Sequence, residues 1–102
     1  MEISNELLQE IERIAACAYE PRQTAYMLGM KPVEFEELIK DENSAAAIAY
    51  FKGYYSSELS VRESIMTLAR NGSSPAQTTA NNLFNELRTN LRKAGFNTSC
   101  ED

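Results

Sequence analysis

Between Ala45 and Arg70 the chain runs without a proline, and Gly53 alone interrupts its helix-forming composition. This stretch predicts one helix of about 39 Å at 1.5 Å per residue. A compact domain of about 100 residues has a radius of gyration near 13 Å. Such a helix therefore spans or overhangs whatever core it joins. Ser44 is positioned to cap its start. Ile48, Tyr55, Leu59 and Met66 fall on one line of the helix, and Tyr50, Tyr54, Val61, Ile65 and Leu68 on another about a third of a turn away. A surface helix needs one apolar stripe; two predict contacts with two different surfaces. Gly53 weakens the helix by about 1 kcal/mol relative to alanine and marks a bend or a close helix approach.

The other elements follow from punctuation. A first helix is predicted from Asn5 to Ala18, capped by Ser4, with Leu7, Leu8, Ile11, Ile14, Ala15 and Ala18 at helical steps. Cys17 lies within that pattern and reads as a core residue. Glu20-Pro21 ends the helix, because a residue before proline is pushed out of the α region. Short helices are predicted from Arg22 to Leu28 and from Pro32 to Lys40. After the long helix, Asn71-Gly72 is a stop and Ser73-Ser74-Pro75 a start. The last helix runs from Pro75 to Ala94, with Ala80, Leu83, Phe84, Leu87, Leu91 and Ala94 at helical steps, and Gly95 closes it. A link of so few residues makes the two long helices antiparallel neighbours. Residues 97–102 form a polar tail.

Pro21 to Ile39 has the spacing of a helix-turn-helix. Ala25 is small where two helices cross, and Gly29 follows four residues later, where the chain turns. Phe35 and Leu38 share one face of the second helix, with Ile39 beside them. Pro32 sits where a first helical turn has no use for an N–H. The same bihelical unit also packs inside many all-helical proteins without touching DNA. If it meets DNA, Arg22, Gln23, Lys31 and Lys40 are the positional candidates, with Tyr26 in support. Glu34, Glu36 and Glu37 on its second helix complement the helix dipole and repel phosphates.

Composition narrows the function classes. At 102 residues and 43% apolar, the chain suits one modest core. It has no histidine, no cysteine cluster with metal spacing, no phosphate loop and no nucleophile elbow. Neither an enzyme nor a cofactor is predicted. Cys17 and Cys100 are too few for a disulfide framework. The acidic N-terminus and short apolar runs argue against a secretory signal or membrane span, and the sparse cysteines make a reducing cytoplasm the simplest setting. Residues 1–42 carry ten acids and four bases, a net −6, and residues 43–102 a net +1. Phosphate neutralisation supplies most duplex affinity, so an acidic reading unit binds DNA weakly per subunit. Tyr50, Tyr54 and Tyr55 could stack bases, yet their helical spacing reads as core or interface.

The helix-turn-helix Pro-Arg-Gln-Thr-Ala-Tyr-Met-Leu-Gly (21–29) and the segment from Phe51 to Gln77, with its Ala-Arg-Asn-Gly-Ser-Ser-Pro-Ala turn (69–76), together resemble the small terminase subunits of tailed bacteriophages and prophages. The resemblance covers about Ala25 to Leu91. It implies an all-α chain with an N-terminal three-helix helix-turn-helix unit (1–42), then a long antiparallel helical hairpin for oligomerisation (43–96). It implies a non-enzymatic DNA-packaging adaptor, forming a homo-oligomer and engaging a large ATP-hydrolysing terminase subunit. Carried over, the assembly surface is Tyr54, Tyr55, Leu59, Val61, Ile65, Met66, Leu83, Leu87 and Leu91. The chain departs from the family in its acidic reading helix and in how little follows the hairpin. The alternative is a protein-interaction or regulatory module whose helix-turn-helix is architectural.

Overall fold

A computed structural model of the chain describes residues 3–97. Cys100 and most of the predicted tail lie outside the described residues. The chain is all-helical: α1 (Asn5–Ala15), α2 (Pro21–Leu28), α3 (Pro32–Lys40), α4 (Ala45–Arg70) and α5 (Ser74–Lys93). It divides into two compact units, Met1–Ser60 and Val61–Asp102, and the division falls within α4.

Local chemistry sets the helix boundaries. Ser4 Oγ accepts from the Leu7 amide at 3.1 Å, and Ser44 Oγ accepts from the Ala47 amide at 3.0 Å. Ser73 Oγ accepts from the Ala76 amide at 3.3 Å. Ser4 and Ser44 are the N-caps read from the sequence, whereas α5 starts at Ser74, one residue before the expected Pro75, and takes Ser73 as its cap. Ser44 also donates to the Leu38 carbonyl at 2.7 Å, tying the end of α3 to the start of α4. Glu20 is extended (ψ 158°), as the following proline requires. Gly29 adopts φ 73°, and the Met30 amide donates back to the Ala25 carbonyl at 2.9 Å, closing α2 with a left-handed cap.

α1 ends three residues earlier than predicted. Ala18 takes φ 72° although it is not glycine, so the chain turns before Pro21 is reached. That turn carries Cys17 and Ala18 out of the apolar register, and both are exposed. The expectation that Cys17 belongs to the core is therefore corrected: the helical pattern that placed it there stops at Ala15.

In the first unit, Ile11, Ala15, Ala25, Phe35, Ile39, Ala46, Ala49 and Tyr50 form one buried cluster. Phe35 is its largest fully buried side chain. Small residues let the helices approach closely. A Cβ built on Gly53 would stand 2.1 Å from the Glu12 carbonyl oxygen, so α1 crosses α4 against bare glycine backbone. Of the two roles open to Gly53, close approach is the one observed. Thr24 is fully buried and satisfied by donating to the Glu20 carbonyl at 2.9 Å. The Tyr50 hydroxyl donates to the Tyr19 carbonyl, joining α4 to the loop after α1.

The second unit has a smaller interior. Ala76 and Ala80 are buried, and Ile65, Met66, Leu83 and Leu91 are half-buried. Gln77 Nε2 donates to the Ala69 carbonyl at 3.0 Å, and the Ser73 amide donates to the Leu68 carbonyl at 3.0 Å. These bonds fix the turn between α4 and α5.

Candidate nucleic-acid and assembly surfaces

The positional candidates for DNA contact lie on α2, the turn and α3, all in the first unit. Each of the three cations has a glutamate of α3 beside it. Arg22 Nη1 lies 3.4 Å from Glu36 Oε1, Lys40 Nζ 3.5 Å from Glu37 Oε2, and Lys31 Nζ 4.0 Å from Glu34 Oε2. These pairs are exposed, and exposed pairs contribute about 0–1 kcal/mol each. A phosphate can displace such a partner, yet each displacement leaves a carboxylate facing the duplex.

Gln23 has a structural task that its position did not reveal. Its Oε1 accepts from the Glu20 amide at 3.0 Å, completing a reciprocal capping box with Glu20 at the start of α2. A side chain so engaged is poorly free to read a base. Tyr26 is 66% exposed and is available as an outward aromatic. Val33, near the start of α3, is also exposed, so the outward face of this unit mixes apolar and acidic groups. The spacing Glu20…Gln23 was the available signal for the capping box.

Packing divides the apolar lines of α4. Tyr50 is buried and Tyr54 half-buried against the first unit's core. Burial raises the Tyr50 phenol above its ordinary value, with Glu20 and Tyr54 adding to the effect. Ile48, Tyr55 and Leu59 are each 59% exposed, and Phe51 is exposed beside them. The Phe51 and Tyr55 rings stack with centroids 6.3 Å apart. A shallow depression lined by Pro21, Ile39 and Phe51, with Glu36 and Lys40 at its edge, adjoins this line.

Of the predicted assembly residues, Tyr55, Leu59, Val61 and Leu87 are exposed. Tyr54, Ile65, Met66, Leu83 and Leu91 are half-buried. The predicted set omits Phe51 and Phe84, both exposed. Helical register was the signal for each, since Phe51 precedes Tyr55 by four residues and Phe84 precedes Leu87 by three.

Among the described residues no group of three or more His, Cys, Asp or Glu side chains could hold a metal ion, and no helix is long and apolar enough to cross a membrane. No family model, curated protein or solved structure matches this chain.

Proposed function

We infer that this chain is a non-enzymatic DNA-packaging adaptor of the small-terminase kind, self-assembling through α4 and α5. The observation that carries this reading is that each long helix leaves large apolar side chains exposed: Ile48, Phe51, Tyr55 and Leu59 on α4, and Phe84 and Leu87 on α5. Large apolar side chains exposed together on one helix face mark an interaction site. In this reading α4 and α5 form an antiparallel hairpin, and α2, the Gly29 turn and α3 act as a helix-turn-helix. Arg22, Lys31 and Lys40 meet phosphates, and Tyr26 supports them. Affinity per subunit is low because α3 is acidic, and assembly raises it by presenting many heads to one duplex. A large terminase subunit is the partner this role calls for.

A second reading is favoured by one observation, the pairing of all three cations with α3 carboxylates. In that reading the α2–α3 unit is architectural and the protein is an interaction or regulatory module. A duplex-binding titration across salt concentrations separates the two. The adaptor reading expects affinity to fall as salt rises, and Arg22→Glu with Lys31→Glu to weaken it further. Absence of binding at low salt by the assembled protein decides for the architectural unit.

A further inference from the structure

The outward side of α3 carries two side chains for which packing gives no reason. Phe35 and Ile39 are buried in the first unit's core. Val33 precedes Phe35 by two residues and Glu37 precedes Ile39 by two, about 200° around the helix in each case. Val33 and Glu37 therefore share one ridge, four residues apart, on the side of α3 turned away from that core. Val33 is 65% exposed, and the Glu37 side chain is 67% exposed.

The other glutamates of α3 have local tasks. Glu34 lies in the first turn, where a carboxylate complements the helix dipole. Glu36 is half-buried and accepts from Arg22, tying α3 to α2. Glu37 stands beyond the first turn, where the dipole's influence has fallen off. Its partner Lys40 is an exposed side chain 3.5 Å away on the same helix. Val33 is β-branched, which a helix slightly disfavours, and it is neither in the buried cluster nor packed against it.

We propose that Val33 and Glu37 are the base-reading pair of the helix-turn-helix. Val33 packs on the 5-methyl group of a thymine, and Glu37 accepts from the N4 amino group of a nearby cytosine. The major groove admits an α-helix, and there thymine presents its methyl group and cytosine an amino donor. The two side chains leave the helix about 6 Å apart along its axis, less than two base steps of about 3.4 Å. Both bases therefore lie within two pairs of each other. Lys40, released from Glu37, turns to a phosphate. The carboxylate also rejects: guanine presents only acceptors at that edge. An acidic reading helix then lowers affinity for DNA in general while keeping it where a cytosine is in place. This rests on the DNA-binding part of the proposed function and adds which bases are read.

Selection from a random duplex library with the parent protein tests it. The enriched sites are expected to hold a cytosine and, within two base pairs, a thymine. Replacing that thymine by deoxyuridine removes only the methyl group and should weaken parent binding about fourfold. Val33→Ser should bind the thymine and uracil duplexes equally. Glu37→Gln should lose about tenfold in preference for the cytosine site. Having shed a negative charge, it should also bind unselected DNA more tightly than the parent; a glutamate needed only for the fold would weaken binding to both. Both side chains are exposed, thermal melts check that the variants stay folded, and the deoxyuridine arm needs no variant at all. A parent that binds duplex but enriches no sequence overturns the base-reading pair and leaves DNA binding standing. So does a cytosine preference that survives Glu37→Gln, or a parent indifferent to deoxyuridine. A parent that binds no duplex at low salt overturns both.

Discussion

Gly53 and Gly29 show two different demands on a single residue. At Gly53 the limit is space, since a Cβ would collide with the Glu12 carbonyl. Gly53→Ala gains about 1 kcal/mol in helix propensity but must push α1 off α4, and overpacking typically costs about 1–3 kcal/mol. At Gly29 nothing lies within reach of a Cβ, and only the left-handed backbone opposes substitution. Gly29→Ala is expected to cost about 1–2 kcal/mol. In urea denaturation both variants should have lower midpoints. A Gly53→Ala variant more stable than the parent by the full propensity gain of about 1 kcal/mol would mean that the helices do not cross so closely. Tyr50 adds a pH dependence. Its phenol is raised by burial, so the folded state favours the protonated form. The resulting stability is present below the ordinary phenol value near 10 and is lost as pH rises through the raised one. Tyr50→Phe should cost about 1 kcal/mol at neutral pH through the lost bond to Tyr19. Its stability should also fall less than the parent's above about pH 10, as measured by denaturant titration at both pH values.

At the scale of elements, α4 is one helix with two environments. Its first half supplies Ala46, Ala49, Tyr50 and Gly53 to a buried core. From Leu59 onward no residue of α4 is fully buried. Local opening follows the density of buried apolar contacts. Amide exchange by mass spectrometry or NMR should therefore show slower exchange at residues 46–54 than at 60–69 in the monomer. Uniform protection along the whole helix at low concentration would contradict this division. Helix boundaries were largely legible in the sequence because caps and stops are local chemistry. Ser4, Ser44 and Gly29 each act where their residue type and neighbours predict, and the cap of α5 falls one serine earlier, on Ser73. The end of α1 was not legible, because Ala18 carries no mark of a left-handed residue.

For the whole molecule, the question is how much apolar surface one copy leaves exposed. Both long helices expose large side chains, and α5 buries only alanines among its residues. In the proposed assembly, association contributes stability by mass action. The thermal midpoint should rise with protein concentration, and the sedimenting mass should exceed the 11.5 kDa subunit. Leu59→Asp should remove both effects while leaving helix content unchanged. A midpoint independent of concentration, with a subunit-sized species throughout, would rule out self-assembly.

The sequence alone determined the helical class, the order of five helices and most of their ends, because periodicity, caps and glycine stops act within a few residues. It also marked two apolar lines on the long helix. Only the tertiary structure decided that Tyr50 and Tyr54 pack on a core while Ile48, Tyr55 and Leu59 stay exposed, that Gly53 is the crossing point with Glu12, that Cys17 faces solvent, and that Gln23 serves a capping box. It also placed a carboxylate of α3 beside each candidate cation. Helical pattern says which side chains share a face; what that face meets depends on how the other helices pack.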